Sequence, residues 1–206
     1  MGIFLSVIIP TYNESQRIKS TLIQISEYLD KSRFTYEIIV SDDGSSDNTK
    51  TQVELFTKSN AKIKLLALKH NGKGWAIRNG LSYAVGTYRF ICDADLSMPI
   101  NYLEKFLPPS VEHSDIVIGS REIKGARRIG EPKARHLMGR MYNLLTRLIF
   151  CMNISDTQCG FKCFKWETVE SIFAKQCING FAFDMEILFL AKKSDLIITE
   201  IGIDWY

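Results

Sequence analysis

Residues 5–14 read Leu-Ser-Val-Ile-Ile-Pro-Thr-Tyr-Asn-Glu, a short apolar run closed by Pro10 and followed at once by polar and acidic groups. A run of that length predicts a buried strand. Working outward, Ile18, Leu22, Ile25 and Leu29 recur at helical spacing, with Asn13 or Ser15 placed to cap the helix. Residues 36–41 (YEIIVS) predict a second strand, 48–58 a helix, 63–68 a third strand, 74–85 a helix and 88–92 a fourth strand. Strands and helices alternating over short links predict an α/β fold, with helices flanking a mostly parallel, Rossmann-like central sheet. Beyond it, 99–107 reads as helix, 115–119 as strand, 121–132 as a basic loop and 134–151 as helix. Residues 160–164 then read as strand, 166–173 and 183–193 as helices, and 196–203 as a last strand. No repeat, low-complexity tract or linker interrupts the order, so one domain over 1–206 is expected.

The 206 residues are 46% hydrophobic and 24% charged, a mixture that excludes disordered, collagenous and coiled-coil classes. A chain of this size buries roughly 70% of its unfolded surface and needs no staples. The net charge of +3 is too mild to indicate a nucleic-acid partner, and no recognised nucleic-acid module accompanies it. Its distribution says more. From Arg121 to Arg140 there are seven Lys or Arg against Glu122 and Glu131 alone, so the positive charge is concentrated there.

The five cysteines (92, 151, 159, 163 and 177) are odd in number, scattered and without a CxxC pair, which predicts reduced thiols. Met1 leads into the first strand with neither a basic start nor a cleavage site, and no apolar run reaches about 18 residues. A cytoplasmic protein is expected. In 136–150, Arg140, Asn143 and Arg147 form one polar stripe on an otherwise apolar helix, a pattern suited to lying on a bilayer surface as well as to ordinary core packing. The chain stops three residues after its last expected strand, an ending open to a natural chain and to a truncated longer one alike.

Ligands of open parallel sheets sit beyond the carboxyl ends of the strands. Three acidic or polar clusters fall at such ends: residues 11–14, Asp42-Asp43, and Asp93-Ala94-Asp95. Asp-x-Asp on a short turn can offer carboxylates to Mg²⁺ or Mn²⁺, which favour oxygen ligands completed by substrate phosphates. Each cluster could equally cap the helix that follows it. Asn71-Gly72-Lys73-Gly74 opens a helix with small residues and one lysine, a setting that suits an anion, though it is not a Walker loop.

These pieces in this order resemble a family 2 glycosyltransferase of the GT-A fold. They are Ser6-Val-Ile-Ile-Pro-Thr-Tyr-Asn-Glu14, Asp42-Asp-Gly-Ser-Ser-Asp-Asn-Thr49, Asn71-Gly-Lys-Gly74 and Asp93-Ala-Asp95. Further on, Gly119-Ser-Arg121, Gly125-Ala-Arg-Arg-Ile-Gly-Glu-Pro132, Arg135-His-Leu-Met-Gly-Arg140, Asp156-Thr-Gln-Cys-Gly-Phe-Lys162 and Phe181-Ala-Phe-Asp-Met-Glu186 resemble the dolichyl-phosphate glucose synthase group. The resemblance implies a nucleotide-sugar donor, most simply UDP-glucose, and a polyprenyl or dolichyl phosphate acceptor met at the cytoplasmic membrane surface. It implies that Pro10, Tyr12, Glu14, Asp42 and Asp43 hold the nucleoside and that Lys73 lies near the donor. Asp93 would contact ribose or sugar and, with Asp95, bind the metal. Arg121, Arg127, Arg128, Arg135 and Arg140 would receive the acceptor phosphate. Asp184 and Glu186 occupy the segment of the acceptor-side carboxylate, and with Asp95 and Arg121 they complete the implied catalytic set. Ser97 departs from the mannosyl-transferring relatives, which carry Gln there, and no membrane-spanning segment is evident.

A phosphate monoester is mostly dianionic near neutral pH and needs positioning and neutralisation rather than a base. A saccharide hydroxyl acceptor, as in cell-surface polysaccharide synthesis, would need a base, for which Asp184 is the candidate. Both acceptors stay open at this level, as does a scaffold subunit that has lost activity.

Overall fold

The computed structural model describes residues 2–130 and 153–206. The expected helix over 134–151, with Arg135 and Arg140, lies outside the described residues. Among the described residues, seven strands form one sheet in the order β3-β2-β1-β4-β7-β5-β8. These are β1 (Leu5–Thr11), β2 (Tyr36–Asp42), β3 (Ile63–Ala67), β4 (Tyr88–Ile91), β5 (Ile116–Ser120), β7 (Lys162–Lys165) and β8 (Ile198–Gly202). Only β7 runs against its neighbours, pairing antiparallel with both β4 and β5. A separate parallel ribbon joins β6 (Arg127–Arg128) to β9 (Asp204–Trp205).

The first strand continues through Pro10 instead of stopping before it. Ile8 accepts the Cys92 N–H through its carbonyl and so faces β4. Pro10, two residues on, faces the same side beyond the last β1–β4 pair, Ile8 with Ile91, where no ladder donor is needed. Along β1, Leu5, Val7 and Ile9 enter one core cluster and Ile8 the other, as the two-residue period of a strand requires. Against the first face pack α1 (Ile18–Asp30), α2 (Thr49–Ser59) and a 3₁₀ helix over Ile100–Phe106. Against the second pack α3 (Lys73–Tyr83), α4 (Trp166–Phe173) and α5 (Phe183–Lys193). The expected α-helix at 99–107 is 3₁₀ because Tyr102 and Leu107 donate back three residues, and Pro108-Pro109 ends the turn.

Cys92, Cys159 and Cys163 are buried free thiols and Cys177 is an exposed one, as expected of reduced cysteines. Burial pushes the Cys159 thiol up to about 12. No helix among the described residues is long and apolar enough to cross a membrane.

Candidate active site

At the carboxyl edge of the sheet the chain encloses a cleft of about 480 Å³. The end of β1 and its turn supply Pro10, Thr11, Tyr12 and Glu14. Asp43 follows β2, while His70, Gly72, Lys73 and Ala76 come from the β3–α3 turn and the start of α3. Asp93, Ala94 and Asp95 follow β4, and Phe181 closes the wall just ahead of α5.

The strand-end turns are bolted together. Asn13 adopts φ 57°, and its side-chain carbonyl accepts the N–H of Ser46 at 2.9 Å and of Asp47 at 3.3 Å. Neither Asn13 nor Ser15 caps α1, whose first residue follows Arg17 with no side-chain cap. Asp42 is fully buried and accepts the Ser45 N–H at 2.9 Å together with the Ser45 and Thr11 hydroxyls. It therefore shapes the wall from behind. Asp43 accepts the N–H groups of Asn71 and Gly72, each at 2.9 Å, and lies 2.8 Å from Nδ1 of His70. Two of the backbone donors that the glycine-rich turn offers an anion are thus taken by a carboxylate of the chain itself. Gly72 sits at φ 110°, where a Cβ would come within 2.5 Å of the Asn179 carbonyl oxygen.

Lys73 Nζ reaches Oδ1 of Asp93 at 2.7 Å. Burial alone would lower the lysine pKa, but Asp93, with Asp184 and Asp95 behind it, raises it. The other Asp93 oxygen is pressed against Gly160, where a Cβ would stand 1.8 Å from Oδ2. Asp95 is exposed and accepts the Ser97 N–H at 3.1 Å through Oδ1. Burial pushes the Glu14 carboxyl up; Arg17 opposes this and Asp95 adds to it. Among the described residues no three His, Cys, Asp or Glu side chains cluster closely enough to hold a metal unaided. Asp93 and Asp95 both place carboxylate oxygens on the cleft wall, donors of the kind that Mg²⁺ or Mn²⁺ favours beside substrate phosphates and water.

The basic segment leaves the same edge farther along, since β5 and β8 run parallel to each other and to β4. Each described arginine there meets a carboxylate. Arg121 gives Nε and Nη2 to Asp156 at 2.6 and 2.9 Å and lies 4.9 Å over the Trp205 ring. Arg127 grips Asp204 at 2.9 and 2.6 Å, and Arg128 binds Glu122 at 2.6 Å. Burial would raise the Asp156 carboxyl, yet the Arg121 guanidinium and the backbone N–H groups of Arg121 and Gln158 bring it below the usual range.

Neither Asp184 nor Glu186, the carboxylates expected on the acceptor side, lines the cleft. Asp184 is buried on Lys162, and burial raises its pKa against the pull of Lys162 and Lys73. Glu186 accepts the N–H groups of Cys177 and Ile178, both at 2.8 Å, and so anchors the 177–182 loop. His70, Phe181, Gly160 and Lys162 were not among the residues expected to build the site. The last three lie inside motifs quoted above, whereas nothing in the sequence distinguishes His70.

The glycosyl transferase family 2 model matches residues 6–173, and the chain belongs to that family. It is 35% identical over 219 residues to a dolichyl-phosphate beta-glucosyltransferase of Dictyostelium discoideum, covering 99% of this chain and 67% of the relative. It is 33% identical over 224 residues to the Saccharomyces cerevisiae protein of the same name, again covering 99% of this chain and 67% of the relative. The chain thus spans about two thirds of the length of the curated relatives it matches. The resemblance to the dolichyl-phosphate glucose synthase group is borne out. Among solved structures, glucosyl-3-phosphoglycerate synthase of Mycobacterium tuberculosis in complex with UDP has a TM-score of 0.74 at 19% identity, covering 99% of this chain and 71% of that one. A crystal of the same enzyme with Mn²⁺, UDP and glucosyl-3-phosphoglycerate gives 0.70 at 17% identity, covering 98% of this chain and 71% of that one. These likenesses bear out the GT-A fold.

Proposed function

We propose that this chain is the catalytic domain, over residues 1–206, of an inverting hexosyltransferase that moves glucose from UDP-glucose to a polyprenyl phosphate such as dolichyl phosphate. The observation that carries the reading is the single cleft that gathers Tyr12, Glu14, Asp43, Lys73, Asp93 and Asp95 from four separate segments at one sheet edge. The names of the relatives point to a glucosyl group and dolichyl phosphate, and the polar lining of the cleft supports its reading as the donor site.

In this reading Pro10, Tyr12, Glu14 and Asp43 hold the nucleoside, with Asp42 fixing the turn beneath them. Lys73 neutralises charge at the diphosphate while holding Asp93 in place. Asp95, with Asp93, holds Mg²⁺ or Mn²⁺. Bound there, the cation supplies Lewis-acid neutralisation of the departing diphosphate. Arg121, Arg127 and Arg128, with Arg135 and Arg140, receive the acceptor phosphate, whose geometry suits guanidinium forks. Attack by a phosphate oxygen on the face opposite the leaving group inverts the anomeric carbon. Such an oxygen is already anionic, so no base is required. The burial of Asp184 on Lys162 and the engagement of Glu186 with backbone favour this acceptor over a sugar hydroxyl, which would need a base in the cleft. The acceptor is a lipid, and the reaction belongs at the cytoplasmic face of a membrane that the protein touches peripherally.

The test is transfer of label from UDP-[¹⁴C]glucose to an organic-extractable product with dolichyl phosphate and Mn²⁺. Label that stays in water with the lipid acceptor but moves to an oligosaccharide would overturn the reading.

A further inference from the structure

Phe181 is 76% exposed and nonetheless forms part of the cleft wall. Its loop is not loosely held. Glu186 fixes the loop's start through two backbone N–H groups, the Asn179 carbonyl accepts the Trp75 N–H at 3.1 Å, and Phe183 donates to Gly180 at 3.2 Å. A large ring on an anchored loop, open to solvent inside a ligand cleft, is an unfilled apolar surface. Its position is specific. Lys73 Nζ lies 5.9 Å from the ring centroid and also binds Asp93 at 2.7 Å, so the ring borders the Lys73–Asp93 pair.

We infer that Phe181 is a sugar-binding residue, its ring covering the C–H face of the donor hexose while Asp93 meets the hydroxyl-bearing side. A glucopyranose presents axial C–H groups on its two ring faces and equatorial hydroxyls around its rim. An aromatic face is matched to the first and a carboxylate–ammonium pair to the second. The inference deepens the proposed function and rests on its assignment of the donor to this cleft.

The test is calorimetric titration of the full chain with UDP and with UDP-glucose, both with Mn²⁺, in wild type, Phe181→Ala and Phe181→Tyr. Phe181→Ala should weaken UDP-glucose roughly three- to tenfold, the range expected for one aromatic contact, and leave UDP within about twofold. Phe181→Tyr, which keeps the ring, should restore wild-type affinity. Equal weakening of both ligands, or no weakening of either, would overturn the inference while leaving the donor reading intact. A wild-type protein that binds neither ligand would overturn both.

Discussion

The two ends of the sheet edge are built from opposite charges and satisfied in opposite ways. Beside β1, β2 and β4, carboxylates converge on one cleft, and Asp95 stands exposed there with a backbone N–H as its partner. Beside β5 and β8, the described arginines are each locked to a carboxylate, and Arg121 is further sandwiched on Trp205. On the proposed function, the difference teaches how one edge would serve two anionic substrates. Asp95, which would share a cation with a phosphate, is left open to it, while Asp93 beside it is held by Lys73. Guanidiniums that would face a phosphate are held in orientation by acids that take one side of the fork, which would reduce the entropy lost on binding.

The largest effect should come from the open side. Asp95→Ala should lower the transfer rate by about a hundredfold or more, since it removes charge stabilisation at the leaving group, and should abolish the Mn²⁺ dependence of UDP binding seen by calorimetry. Unchanged metal dependence would move the metal away from Asp95 and break the contrast. Next is Asp156→Asn, which leaves Arg121 with a neutral partner in a buried pair. A loss on the order of 3 kcal/mol is expected, measured by urea melts. Gly160→Ala should cost about 1–3 kcal/mol by overpacking, and its added methyl must displace the Asp93 carboxylate, so UDP-glucose affinity should fall with it. A variant that folds stably and binds normally would show that Asp93 needs no stop.

The pH response sharpens the same contrast. Folding lowers the Asp156 pKa, so the folded chain binds that proton less readily than the unfolded one. Its contribution is present at neutral pH and disappears as the pH falls through the lowered value, below about 4. Between pH 7 and 3 the melting temperature of wild type should therefore fall further than that of Asp156→Asn. Parallel curves would mean that Arg121 does not govern this carboxyl. The smallest stability effect belongs to Arg127→Gln. Its side chain is 72% exposed, so the melting temperature should not move, while the KM for dolichyl phosphate should rise severalfold.

The sequence carries the first half of the fold almost element by element, because strands β1 to β4 and their helices are local, periodic and closed by Gly, Pro or Asp. The sequence reading also placed carboxylates at strand ends, and the cleft gathers Glu14, Asp43, Asp93 and Asp95. It could not show that Asp42 and Asp43 divide their work, one buried as a brace and one lining the cleft, because adjacent residues on a strand end point to opposite sides. Arg127–Arg128 reads as loop in the sequence, since those residues become a strand only by pairing with Asp204–Trp205 from the far end of the chain. His70 escaped notice for a similar reason: its stack on Tyr12, with ring centroids 4.3 Å apart, joins two turns nearly sixty residues apart in the chain. Asp184 reads in sequence as a candidate base, and only the packing reveals Lys162 beside it.

The division of the edge into donor and acceptor halves is tested most directly by the UDP-glucose dissociation constant, measured by calorimetry with Mn²⁺ in Asp95→Ala and in the double variant Arg127→Gln/Arg128→Gln. Affinity should fall to its metal-free value in the first and keep its wild-type value in the second. Equal weakening in both would contradict the division, because the arginines would then be holding the donor.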